Sequence, residues 1–327
     1  MNNNLPGSRI YCFNPSSEKE SQIRNRTIYH YTSPEGLLSI LKTPSIRFTD
    51  CQYLNDKSEY NHIHLPLEEA LKQIRDSIYD ANLCDMIQHY IDDRYDYHEI
   101  VTDNPDLGLK GLKMVNMRHY VFCASTDNDL LHMWNYYVKG GDYRGYSIGM
   151  SVKEITNSLS SITDNRVKFF FGPIIYGDKE KIETLKKAII ATDKKLHESL
   201  NNAHNLEDRD IVTQEIYGEL LLYIENYRLF FKDAVFSNEK EYRYVIRMPQ
   251  QQLDKSNNVP NIGYSIKQGI VTPHCDIPLK KDSVIKKITI APMMEDTLAE
   301  AGLRRYLLHS GYPSEIEIDK SQVPIRY

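Results

Sequence analysis

Four short clusters in this chain combine residue types able to hold or transform a small polar molecule. Tyr29-His30-Tyr31-Thr32-Ser33 closes a β-branched, aromatic run and leads into Pro34-Glu35. An imidazole therefore sits where a strand end meets the free N–H groups of a helix N-terminus, a place suited to a nucleotide, although the segment by itself reads first as a core histidine followed by an N-cap. Leu54-Asn55-Asp56-Lys57-Ser58-Glu59 is a polar loop after a strand, and Asp56 with Glu59 has carboxylate spacing for a divalent cation. Nothing nearby completes that ligand set, and His62-Ile63-His64 is read as a non-metal pair as well. In Phe122-Cys123-Ala124-Ser125 and His132-Met133-Trp134-Asn135-Tyr136-Tyr137, helical spacing puts Met133 and Tyr137 on one face with Trp134 beside it. Such a face is a wall for a flat heterocycle or a piece of core. Cys123 has no matching base in the sequence that would make it a nucleophile. Finally, Glu239-Lys240-Glu241 immediately precedes an alternating run, Tyr242 to Arg247. On an extended backbone residues i and i+2 share one side, so both carboxylates can enter a cleft at the strand mouth, with Lys240 and Arg243 available to neutralise them. A solvent-facing pair accounts for the same pattern.

The elements that must position these clusters follow from apolar period and punctuation. Thr27–Tyr31 reads as a strand, and Ser33-Pro34-Glu35 opens a helix with Leu37, Leu38, Ile40 and Leu41 on its apolar face, stopped at Pro44. Residues 46–49, 119–124, 144–150, 167–176, 242–248, 262–270, 285–291 and 315–318 alternate or run apolar as strands, and 127–137 and 296–310 as helices, the former ended by Gly140-Gly141. Two helical insertions interrupt them, at about 66–117 and 178–234, the second a pair of long helices with a soft break at 201–205. Residues 1–26 read as a loose arm and 27–327 as one α+β domain on a mixed, largely antiparallel sheet.

A length of 327 residues with 41% hydrophobic and 26% charged side chains excludes disordered and collagen-like classes, and a net charge of −5 gives no general drive toward nucleic acid or anionic lipid. Charge is uneven: Glu68 to Asp106 carries a net −8, leaving +3 elsewhere, so an anionic ligand is expected outside that segment. The acidic helices read as a solvated face, a lid or a surface for a protein partner. Five cysteines without a CxxC, and an N-terminus without a basic head and apolar run, predict a cytoplasmic protein with reduced thiols. No stretch approaches a membrane span.

Taken in order, YHYTS, LND..E, FCAS...MW..Y and E.EYR are more specific than any one of them. Together they resemble a bacterial domain family of unknown function, from about Tyr29 to the C-terminus. That family in turn is similar to the ADP-ribosyltransferase fold, with its split sheet. The resemblance implies an enzyme that takes NAD as substrate without a metal and cleaves the nicotinamide glycosidic bond. ADP-ribose would pass to a protein or nucleic-acid acceptor or to water, in a setting such as phage defence or a toxin system. On this resemblance His30 matches the histidine that bonds NAD ribose, beside Tyr31 and Thr32. Tyr137 matches the stacking tyrosine, with Tyr136 in competition for that role and Trp134 on the same wall. Glu241 matches the catalytic glutamate and Glu239 the first carboxylate of Glu-x-Glu. Two readings from other classes stand beside it: a metal-dependent nuclease using Asp56, Glu59 and Glu239 or Glu241, and a non-catalytic nucleotide-sensing module.

Overall fold

The computed structural model describes residues 10–12, 20–54, 61–92, 99–103, 112–138, 143–164, 166–249, 260–267 and 269–325. After β1 (Ile10–Cys12) and α1 (Glu20–Arg24), β2 (Thr27–Thr32) runs into α2 (Pro34–Lys42) and then β3 (Ser45–Asp50). As the sequence predicts, Ser33 caps α2 by accepting from the Gly36 N–H at 3.2 Å, and Leu37 and Leu41 are buried. The first insertion supplies α3 (His64–Ile74) and α4 (Ala81–Asp92), followed by β4 (Glu99–Asp103), the long β5 (Leu112–Ser125) and the short α5 (Leu131–Tyr137). Then come β6 (Tyr146–Ser151), α6 (Val152–Leu159), β7 (Lys168–Pro173), and the long helices α7 (Asp178–Asn201) and α8 (Leu206–Tyr227). A 3-10 turn, Ala234–Glu239, leads into β8 (Glu241–Pro249). The last third is β9 (Ile262–Lys267), β10 (Ile270–Pro278), β11 (Ile285–Ile290), α9 (Asp296–His309) and β12 (Glu317–Lys320).

The fold is α+β on a mixed, mostly antiparallel open sheet, ordered β1-β7-β8-β5-β2-β6-β11-β12, with β1–β7 and β11–β12 its parallel pairs. Three expectations need correction. Part of the stretch read as an arm joins the sheet, because β1 pairs with the edge of β7. The first insertion is not helical to residue 117: β4 and the start of β5 pair as a hairpin, the acidic side chains of that region masking its β-branched alternation. The run 262–270 is not one strand; Gly269, at φ 80°, turns the chain so that β9 and β10 pair antiparallel. Asn55, Asp56, Glu59 and Gly140-Gly141 lie outside the described residues.

Most of the sheet pairs over many residues, but β2 meets β5 only at Tyr29↔Ser125, and β3 meets β5 only at Thr49↔Val121 and Asp50↔Tyr120. Between those contacts, among the described residues, no strand covers the edge of β5 around Cys123 that faces away from β8, and a hollow opens there. β8 is buried on both faces, with Tyr242, Tyr244, Ile246 and Met248 in the main core and Glu241, Arg243 and Val245 on the other side.

The two helical insertions do not stand apart. α3, α4, α7 and α8 share a second core containing Leu67, Leu71, Leu83, Ile87, Leu185, Ile189, Leu220 and Ile224. Asp193 of α7 fastens them by accepting from the backbone N–H groups of Tyr79 and Asp80, each at 3.1 Å. Among the described residues no helix is long and apolar enough to cross a membrane.

The end of β2 packs against α5 through Gly145, where an added Cβ would lie 2.5 Å from the Thr32 carbonyl oxygen and 2.8 Å from a Val138 methyl. A backbone oxygen cannot step aside without moving the strand. Gly145→Ala is expected to lower stability by about 1–3 kcal/mol, read by urea denaturation; wild-type stability in that variant would contradict the close approach.

Candidate functional site

The hollow beside β5 has a volume of about 570 Å³ and is lined by residues far apart in the chain. They include His30 of β2, Arg47 and Thr49 of β3, Cys123 of β5, Met133, Tyr136 and Tyr137 of α5, Lys232, Glu239 of the 3-10 turn, Glu241 and Arg243 of β8, and Lys267 of β9. A cavity of this size is in the range of small-molecule sites.

His30 of β2 lies against β5. Its Nδ1 lies 3.3 Å from the Cys123 carbonyl oxygen and its ring 5.1 Å from that of Phe122. A carbonyl only accepts, so Nδ1 carries the proton and Nε2 is left as an acceptor. Burial holds the imidazole below its ordinary value, against the opposing pull of the Cys123 carbonyl, and favours the neutral ring.

At the opposite wall two carboxylates meet one ammonium. Lys232 Nζ donates to Glu239 Oε2 at 2.7 Å and to Glu241 Oε2 at 2.9 Å, and Arg243 Nε donates to Glu241 Oε1 at 2.7 Å. Tyr137 donates its hydroxyl to Glu239 Oε1 at 3.2 Å, and the Glu241 backbone N–H donates to the Tyr176 hydroxyl at 2.9 Å. Glu241 is 4% exposed and Lys232 6%. Burial alone would raise the Glu241 carboxyl; the Arg243 guanidinium and the Lys232 ammonium overcome it and hold it at about 2. Burial would also lower Lys232, and the Glu241 and Glu239 carboxylates more than reverse that, against Arg243. Tyr137 is pushed up by burial and then by Glu239.

The geometry of Glu-x-Glu differs from the expected one. Lys240 adopts a left-handed conformation, φ 46° and ψ 48°, so Glu239 ends the 3-10 turn and only Glu241 is in the strand. The strand period instead places Glu241 with Arg243, an attractive pair. Lys240 turns outward to Asp127, at 2.9 Å, and neutralises neither glutamate. Lys232, which does, escapes sequence reasoning. Its signal is that it is the only cation in Leu229-Phe230-Phe231-Lys232, where Phe230 and Phe231 are fully buried and Phe231 bridges to Ile175.

The tyrosine, tryptophan and threonine expectations divide. Tyr137 and Tyr136 both line the cavity, Tyr137 half-buried with its hydroxyl on Glu239 and Tyr136 at the rim, 74% exposed. Trp134 does not line it: the ring is 0% exposed, packs edge-on to Tyr31 at 4.7 Å, and donates from Nε1 to Asp129 at 2.7 Å. With Trp134 on the core side of α5, Met133 and Tyr137 of the same helix line the cavity. Tyr31 touches the cavity but is spent on structure, donating to the Asp127 carbonyl at 3.0 Å and accepting from the Leu130 N–H at 2.9 Å. Thr32 and the N-terminus of α2 lie off the cavity, and the Ser33 hydroxyl is taken by the Gly36 N–H. The serine of FCAS, Ser125, ties the two halves of the site together, because its hydroxyl donates to the Glu239 carbonyl at 2.8 Å and accepts from the Asp127 N–H at 3.2 Å.

A carboxylate held near 2 when folded and at about 4.3 when unfolded contributes stability that is complete above about pH 5 and is lost as pH falls toward 2. Glu241→Gln is therefore expected to be less stable than wild type at neutral pH, with the gap narrowing toward about pH 3. Denaturant titrations of both proteins across that window read the gap; one that stays constant would contradict the ion-paired state of Glu241.

Residues 133–244 match a family described as protein of unknown function, DUF2971. That span opens on α5 and closes on β8, taking in Tyr137, Lys232, Glu239, Glu241 and Arg243 and leaving out His30. No curated protein and no solved structure matches the chain. What the chain is similar to is thus a domain of unknown function whose matched residues carry the acidic wall of this cavity.

Proposed function

We propose that the cavity binds NAD and that the protein cleaves its nicotinamide glycosidic bond, passing ADP-ribose to an acceptor nucleophile or to water. The observation that carries this reading is that His30, Tyr137 and Glu241, residues separated by more than half the chain, line one hollow of about 570 Å³. The parting of β2 from β5 at a single residue pair supports it too, because a split sheet of the ADP-ribosyltransferase kind is what the motif order implies.

Cleavage breaks the C1′–N bond; the bonding pair leaves with nicotinamide and positive charge develops on the ribose ring. An ionised carboxylate that accepts from the ribose 2′-hydroxyl stabilises that charge more in the transition state than in the ground state. Glu241 is kept in the ionised form this role needs, and a carboxylate oxygen that accepts from Lys232 or Arg243 can accept a second hydrogen bond, from the hydroxyl. On this reading the Tyr137 ring, which lines the cavity, takes the face of nicotinamide. His30, with Nε2 accepting, is suited to a second ribose hydroxyl, and Lys267 supplies positive charge for the pyrophosphate, whereas Arg47 is held by Asp276 in a two-bonded ion pair at 2.9 and 3.0 Å.

A specific observation favours a second reading, a receptor that holds a nucleotide without cleaving it: every oxygen of Glu239 and Glu241 already accepts a hydrogen bond from the protein. The nuclease alternative is less well served, because the Lys232 ammonium occupies the position between those carboxylates where a divalent cation would bridge them.

Incubation of the protein with NAD, followed by mass spectrometry for free nicotinamide and for acceptors heavier by ADP-ribose, separates these readings. Release of nicotinamide, lowered on the order of 100-fold in Glu241→Gln, is the expected result; NAD that binds and stays intact selects the receptor. His30→Ala is expected to weaken NAD binding roughly tenfold, the scale of one lost hydrogen bond, by calorimetry.

A further inference from the structure

We infer that Lys232 is the positioning residue of this site, the cation that fixes both carboxylates against the cavity wall; the inference rests on the NAD reading for its catalytic consequence only. Glu239 and Glu241 come from different backbone states, a 3-10 turn and a strand, with a left-handed residue between them. No regular period holds their side chains together. One ammonium does, at 2.7 and 2.9 Å.

Lys232 is itself over-determined. Its backbone N–H donates to the Ile175 carbonyl at 3.2 Å, the preceding Phe231 is fully buried, and its Nζ lies 4.8 Å from the centre of the Phe236 ring. The stem of Lys232 is thus held by the backbone, and its ammonium reaches both carboxylates from there. Glu241 is faced from β8 by Arg243, from the 3-10 turn by Glu239, from α5 by Tyr137 and from the β7–α7 connection by Tyr176, and Cys123 of β5 lines the same cavity. Arg243 is committed elsewhere as well, donating from Nη1 to the Leu229 carbonyl at 2.7 Å. Without Lys232 the two carboxylates would share a buried space with the Arg243 cation on one side, and the turn carrying Glu239 would lose its ionic tie to β8.

The experiment compares the full-length wild type with Lys232→Met, using ¹³C-labelled glutamate side chains to follow Glu241 by NMR and nicotinamide release to follow turnover across pH. The expected result is a Glu241 midpoint raised by about 1–3 pH units, and turnover reduced on the order of 10-fold or more with its acid limb displaced upward to match. Because removing one partner of a buried ion pair can unfold a protein, the same two readings are taken on Glu239→Gln and on Glu239→Gln/Lys232→Met, where charge is removed in balance. Adding Lys232→Met to Glu239→Gln is expected to raise the Glu241 midpoint again. An unchanged Glu241 titration and pH profile in either comparison would overturn the inference. A wild type that releases no nicotinamide would sink the NAD reading alone, since the carbon titration decides the role of Lys232 without turnover.

Discussion

A single buried ammonium is the constraint on which the site depends. Placing two carboxylates out of water costs several kcal/mol each unless cations and hydrogen-bond donors answer them, and here Lys232 and Arg243 bring the four-group cluster to zero net charge. The elements that meet around it come from several parts of the chain. The end of the helical hairpin brings Lys232, the 3-10 turn Glu239, the mouth of β8 Glu241 and Arg243, and α5 the Tyr137 hydroxyl. Charge neutrality acts here together with sheet pairing, which sets Glu241 opposite Ser125 and Arg243 opposite Cys123 of β5.

A further set of residues transmits that order without facing a ligand. Tyr31 spans the Asp127–Leu130 turn, Asp129 accepts from the Trp134 indole, and the Ser321 hydroxyl and Gln322 N–H reach the same carboxylate, so that α5 is pinned from two sides. Ser125 then couples that turn to the Glu239 backbone. The motifs around the cavity are in this sense two kinds of residue interleaved, those that face the hollow and those that aim them.

Much of this is legible in the sequence, and the failures have physical causes. Strand and helix signals place β2, α2, β8, α7 and α8 because capping, punctuation and period agree there. His30, Tyr137 and the two glutamates are legible as a group only through their order along the chain. Helical spacing says that Met133, Trp134 and Tyr137 are neighbours, but it does not say which edge of the face turns inward, and the largest ring takes the core. The i and i+2 rule for the two glutamates needs extended backbone through Lys240, and a left-handed lysine has no sequence signal of the kind a glycine gives. Lys232 is invisible to local reading because its partners are chosen by tertiary structure. β4 and β10 are lost where acidic composition or a single turn glycine blurs a strand.

The second core, built jointly by α3, α4, α7 and α8, has a consequence for biosynthesis. The apolar faces of α3 and α4 leave the ribosome well before the helices that cover them, a separation of roughly 100 residues, or on the order of 5–20 s at ordinary elongation rates. For that interval Leu67, Leu71, Leu83 and Ile87 lack the α7 and α8 side chains they bury against in the finished fold. The crowded carboxylates of the same segment, poor material for recognising an anion, are well suited to keeping a nascent chain in solution until its partners emerge.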